Sequence, residues 1–119
     1  MKIQKFEDLK IWQKSIQLAT KIYQVTEANS DHSFSNQLRR ASVSISNNIA
    51  EGFDRPSNKD FIRFLVISKG SLNEVKSMIY LGTELKYLKE EQKIIFLTQT
   101  SELQKMIWAL INHLKTNSK

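Results

Sequence analysis

A chain of 119 residues with three glycines, one proline and no cysteine has the length of one domain and too little turn punctuation for a β-rich fold. The missing cysteines exclude disulfides, thiolate zinc sites and thiol nucleophiles. Eighteen Lys and Arg against twelve Asp and Glu leave a formal charge of +6, which attracts polyanions such as RNA and DNA without selecting one.

The opening MKIQKFEDLKIW has no apolar signal core, and no apolar run approaches the ~20 residues that span a bilayer, so a cytoplasmic protein is expected. The first helix is expected over residues 7–27. Leu9, Trp12, Ile16, Ala19 and Tyr23 recur at alternating short spacings, the seam of a bundle helix. Ile11, Leu18, Ile22 and Val25 form a second apolar line beside it. One partner surface does not need both, which predicts a wide core or a subunit contact. Lys10, Lys14, Gln17 and Lys21 share one strip, open to two readings: a solvated face, or a track for phosphates.

Residues 28–34 form a loop rich in turn formers, in which Ser33 or Ser35 can cap the next helix and Phe34 can staple its first turn. His32 stands there with no second ligand nearby. The second helix, expected over 35–53, carries the most constraints. Leu38, Ala41, Ile45, Ile49 and Phe53 make an apolar stripe, while Arg40, Ser44, Asn47 and Glu51 make a polar ladder on the opposite side. Val43, Ser46 and Ala50 form a small face between them, where another backbone can come close. Gly52 and Pro56 end the helix. Arg39 and Arg40 fall in its first turn, where the helix dipole disfavours cations, so both need anionic company. That company is either a carboxylate such as Glu51 or Glu74, in this chain or a neighbour, or a phosphate.

Ser57-Asn-Lys-Asp60 reads as a capping box opening a third helix over 58–86. Its seam is Phe61, Leu65, Ser68, Leu72, Val75, Ile79 and Gly82, with Phe64, Ile67, Ser71 and Met78 as a second line. Ser68, Gly70 and Ser71 interrupt it. Glycine inside a helix costs about 1 kcal/mol against alanine, which predicts a close crossing by the second helix or a neighbouring subunit. After a turn around Tyr87, the fourth helix is expected over 90–115 on Phe96, Thr100, Leu103, Ile107, Leu110 and Leu114. Trp12 and Trp108 read as core or interface fillers, with nothing marking them as base-stacking platforms.

Catalytic patterns are missing. The two histidines are far apart in the chain, no carboxylates have metal-ligand spacing, and neither a phosphate-binding glycine loop nor a nucleophile elbow occurs. Serines are abundant but lack a nearby base. No enzyme, metal or cofactor is expected.

The segments Phe6-Glu-Asp-Leu-Lys-Ile-Trp12, Gln37-Leu-Arg-Arg-Ala41, Asn48-Ile-Ala-Glu-Gly52, Phe61-x-x-Phe-Leu65 and Lys69-Gly-Ser-Leu-x-Glu74 resemble the bacterial four-helix-bundle proteins encoded in intervening sequences of 23S ribosomal RNA genes. The chain is also similar to the accessory variability protein of diversity-generating retroelements. The resemblance implies a homopentamer with a basic surface and nucleic-acid binding and, for the retroelement relative, a reverse transcriptase as partner.

The expectation is therefore one all-α domain over residues 1–119, an antiparallel up-down-up-down four-helix bundle that oligomerises. The candidate nucleic-acid contacts are Lys10, Lys14, Lys21, Arg39, Arg40, Arg55, Lys59 and Arg63. The candidate subunit contacts are Ile11, Leu18, Ile22, Val43, Ala50, Phe64, Ile67 and Ser71. The leading function is non-catalytic binding of RNA or DNA backbones through basic strips. The alternative is a scaffold ring for a protein partner such as a reverse transcriptase, with no direct nucleic-acid role.

Overall fold

Apolar residues spaced three and four apart close into four helices: α1 Lys10–Thr26, α2 His32–Phe53, α3 Asn58–Glu84 and α4 Glu90–Thr116. The structure is a computed structural model that describes residues 3–117. Contacts pair the late residues of each helix with the early residues of the next. Arg39 meets Tyr23, Gly52 meets Phe61 and Phe64, and Lys93 meets Tyr80. Consecutive helices therefore run antiparallel, in a body of 47 × 22 × 21 Å.

All seven seam positions of α3 are buried. On α4 the buried line is Phe96, Thr100, Leu103, Ile107, Ile111 and Leu114, so Ile111 takes the place expected for Leu110, which is half-buried. On α1 both apolar lines reach the core: Ala19 of the expected seam is buried and Leu9 and Trp12 pack against the core, but the second line is the more deeply buried. Ile11, Leu18 and Ile22, expected as subunit contacts, lie in the core of their own bundle, whereas Ile16 and Tyr23 of the expected seam are exposed. The reason is packing angle: buried Ser15 and Ala19 flank the inward line, and α1 turns that side to its neighbours. The helix also starts at Lys10, because Phe6–Asp8 forms a separate 3-10 turn whose Phe6 ring meets Trp12 edge-on at 5.3 Å.

Capping differs from expectation at α2. Asp31, not Ser33 or Ser35, accepts the Phe34 amide at 3.1 Å and starts the helix at His32, adding a negative charge where the dipole favours one. At α3, Ser57 accepts the Asp60 amide at 3.1 Å, but the Asp60 carboxylate turns to Arg63 instead of completing the box. The C-terminus of α3 is closed by Tyr87 and Lys86 amides bonding to Gly82 and Thr83 carbonyls, with Lys86 at φ 68 in the left-handed position.

Three constraints set how the helices sit. At Gly52 a Cβ would lie 2.6 Å from the Phe64 Cβ, so the α2 backbone sits directly against the root of a side chain of α3. Farther along, the Ser68 hydroxyl donates to the Ile45 carbonyl at 2.9 Å and Ser71 to Ser44 at 2.8 Å. Ser68 and Ser71 thus serve the α2 crossing that was expected, while Gly70 between them is exposed with open space around it. At the other end of the bundle, Tyr87 Oη donates to Asp31 Oδ2 at 2.7 Å, tying the α3–α4 turn to the α2 cap.

Two outcomes follow. Gly52→Ala gains about 1 kcal/mol of helix propensity but forces an overlap costing about 1–3 kcal/mol. The overlap dominates because the obstructing atom is tied to the α3 backbone, so urea melts should show net destabilisation. The Tyr87 bond, then the Phe34 amide, hold Asp31 below its ordinary 3.8. The same bond holds Tyr87 above its ordinary 10.0. The Asp31 contribution is full above its unfolded value and is lost as pH falls through the lowered folded one. The Tyr87 contribution is full below its unfolded value and is lost as pH rises through the raised one. Thermal melts should find Tyr87→Phe less stable than the parent between about pH 5 and 9, with the gap closing at both extremes.

Candidate nucleic-acid interface

Cations exceed anions in this chain, so the question is which of them lack a carboxylate. Four ion pairs occur among the described residues: Lys14 with Glu102 at 3.3 Å, Arg63 with Asp60 at 3.0 Å, Lys93 with Glu90 at 3.4 Å, and Arg55 with Glu51. All are solvent-exposed to some degree, a class worth about 0–1 kcal/mol.

The eight predicted contacts separate into distinct groups. Lys14, Arg55 and Arg63 are paired as above, and Arg55 also lies over the Phe64 ring at 5.1 Å. Arg39 is half-buried and fully engaged: Nε donates to Thr26 Oγ1 at 2.8 Å, Nη2 donates to the Tyr23 carbonyl at 3.0 Å, and the guanidinium lies 4.4 Å from the centre of the Tyr23 ring. Its anionic company is the carbonyl end of α1, where orphan acceptors and the helix dipole favour a cation. Neither Glu51 nor Glu74 supplies it.

Lys10, Lys21, Arg40 and Lys59 are exposed and make no ion pair among the described residues. They do not converge. Lys10 and Lys21 stand roughly 16 Å apart along α1. Arg40 sits on the outer face of α2 between two shallow grooves, one toward Tyr23 and one toward Ser71 and Glu74. Lys59 opens α3 at the far corner of the α2–α3 hairpin. The predicted residues supply scattered charge, not one built site.

A convergent cluster lies elsewhere, on α3 and α4 residues that are not among the eight candidates. Trp108 is 49% exposed. Lys69 Nζ of α3 lies 4.6 Å and Lys115 Nζ of α4 6.0 Å from the Trp108 ring centre. Lys105, Gln104 and Ser101 complete a shallow hollow around the ring. Trp108 is therefore neither a core filler nor isolated. Ser101, Lys105, Trp108 and Lys115 do share one helical line, a signal available in the chain. Lys69 joins them only through the register of α3 on α4.

The subunit-contact candidates also divide. Val43, Ala50, Phe64 and Ser71 are half-buried along the α2–α3 side, and Ile67 alone is largely exposed, at 50%. Ile67 belongs to an outer face of α3 that includes Val66, Gly70 and Leu81. Among the described residues no cluster of three His, Asp or Glu could hold a metal, and no helix is long and apolar enough to cross a membrane.

No curated protein matches the chain. A solved structure from Bacteroides thetaiotaomicron, a protein of unknown function from the S23 ribosomal protein family, is similar in fold. It has a TM-score of 0.79 and 27% identity, covering 85% of this chain and 97% of that one. A family model described as 23S rRNA-intervening sequence protein matches residues 7–109, a span that takes in α1 to α3 and most of α4, and on that match this chain belongs to the 23S rRNA-intervening sequence protein family.

Proposed function

We propose that this family member is a non-catalytic bundle that assembles with copies of itself and holds nucleic acid on its basic surface. The observation that carries the reading is that every helix carries cations with no ion pair among the described residues, among them Lys10 and Lys21, Arg40, Lys59 and Lys69, and Lys105 and Lys115. Such a surface attracts a polyanion by releasing its counterions and reads no base sequence. Assembly repeats the surface and multiplies its field.

The outer face of α3 supports the assembly half of the reading. A mid-helix glycine costs about 1 kcal/mol against alanine, and Gly70 has no neighbour within its own chain that needs the space. Val66, Ile67 and Leu81 expose apolar surface on the same side of α3. A second copy crossing at Gly70 would bury them. The same face also suits a different protein, such as a reverse transcriptase, which is the scaffold alternative.

Fluorescence anisotropy with a mixed-sequence RNA separates the readings. If about four phosphates are neutralised, affinity should fall roughly a hundredfold between about 50 and 200 mM salt. A flat response, or no binding, overturns the nucleic-acid reading and leaves the scaffold. For assembly, Gly70→Gln and Ile67→Glu should each reduce the mass in solution while far-ultraviolet dichroism stays helical. A mass unchanged by both removes the α3 face from the account.

A further inference from the structure

The groove between α3 and α4 brings together lysines, amides and two exposed aromatic rings. Along α3, Lys69, Asn73, Lys76 and Tyr80 recur at helical spacing and form one line. Facing them on α4 are Lys93, Gln104 and Trp108. Lys69 lies over Trp108, Gln104 Nε2 reaches Asn73 Oδ1 at 3.5 Å, and Lys93 Nζ lies 5.7 Å from the centre of the Tyr80 ring. Tyr80 is 51% exposed. The seam thus has an exposed aromatic ring beside a lysine at each end, roughly 16 Å apart by the rise of α3, with amides between.

The Trp108 end is the more developed. Lys69, Lys105 and Lys115 gather around one indole, and none of the three makes an ion pair among the described residues. Glu102, on the same helix, is turned away to Lys14 of α1. Lys69 and Lys105 line one hollow without a counter-charge, and Lys115 adds a third positive charge at the ring, so their charges repel one another. The ring contacts made by Lys69 and Lys115 are a weak return for that repulsion, because the ring is exposed. The cluster is therefore poorly explained as a device for stabilising this fold. A ligand that brings negative charge and a flat ring satisfies both halves of it.

The hollow measures about 340 Å³, at the low end of the ~300–1,000 Å³ usual for small-ligand sites, so it suits one ring system with its substituents. A duplex keeps its base faces stacked inside, and nothing here projects a helix or hairpin into a groove to read base edges. Unpaired strands offer every base face, and single-strand binders combine basic grooves with aromatic platforms.

We propose that the α3–α4 seam is a single-stranded nucleic-acid site, in which an unpaired base stacks on Trp108 while Lys69, Lys105 and Lys115 hold the flanking phosphates. The proposal rests on the polyanion reading above and specifies its site and strand state. Tyr80 with Lys93 provides a second, weaker platform along the same strand.

The test uses the full chain and four probes: a mixed-sequence RNA of about twelve nucleotides, the DNA strand of the same sequence, the RNA annealed to its complement, and the RNA strand with abasic residues. Trp108→Ala should weaken single-strand binding about tenfold or more and leave duplex binding unchanged, while Trp108→Tyr restores most of the loss. Parent protein on the abasic strand should bind as weakly as Trp108→Ala on the intact one. Lys69→Gln combined with Lys105→Gln and Lys115→Gln should weaken every probe and flatten the salt response. The ratio of RNA to DNA affinity reports whether the 2′-hydroxyl is read. Equal loss on single strand and duplex, or no loss on either, overturns the stacking site while polyanion binding by the parent survives. Failure of the parent on every probe overturns the polyanion reading itself. A change in solution mass on Trp108→Ala makes the ring a subunit contact and also overturns the proposal.

Discussion

The close approach of the α2 backbone to α3 at Gly52 governs the remaining geometry. Any side chain there would meet the Phe64 Cβ at 2.6 Å, so the rotation and height of α3 are set by what α2 lacks. The serine bonds from Ser68 to Ile45 and from Ser71 to Ser44 continue the same contact for more than two turns. With those residues facing α2, Gly70 and Ile67 must face solvent and Lys69 must face α4. Both surfaces assigned a function therefore depend on one close approach.

The distribution of charge follows from that frame. Arginines placed near carboxylates of their own helix spend themselves locally, as Arg55 does on Glu51 and Arg63 on Asp60. These exposed pairs are worth about 0–1 kcal/mol, so phosphate can displace them and their residues are not lost to binding. Arg39 is different. Two hydrogen bonds to the end of α1 and the Tyr23 ring make it a clamp between helices, and its removal leaves acceptors unmet. Apart from Lys93, which pairs with Glu90, the lysines of α3 and α4 make no ion pair among the described residues, which moves the centre of the basic surface away from α1 and α2.

How much of this was legible in the chain depends on the range of the interaction. The α3 seam was readable to the residue, because its line of seven positions outruns the second line of four beside it, of which Met78 alone is buried. On α1 two apolar lines lie side by side, and periodicity cannot say which turns inward. Packing against the neighbouring helices chose Ile11, Leu18 and Ile22. The cap of α2 was missed because Asp31 lies before the serines that looked suitable, and its second oxygen is fixed by Tyr87, 56 residues away. The Trp108 cluster required knowing that Lys69 falls opposite it, a matter of helix register that no local pattern carries.

The measurement that bears most directly on this account is light scattering after size exclusion, with and without single-stranded RNA, at low and high salt. The account predicts a mass of several chains that rises with RNA at low salt and returns to its RNA-free value at high salt. A mass of one chain, 13.9 kDa, unmoved by RNA at either salt, would contradict it.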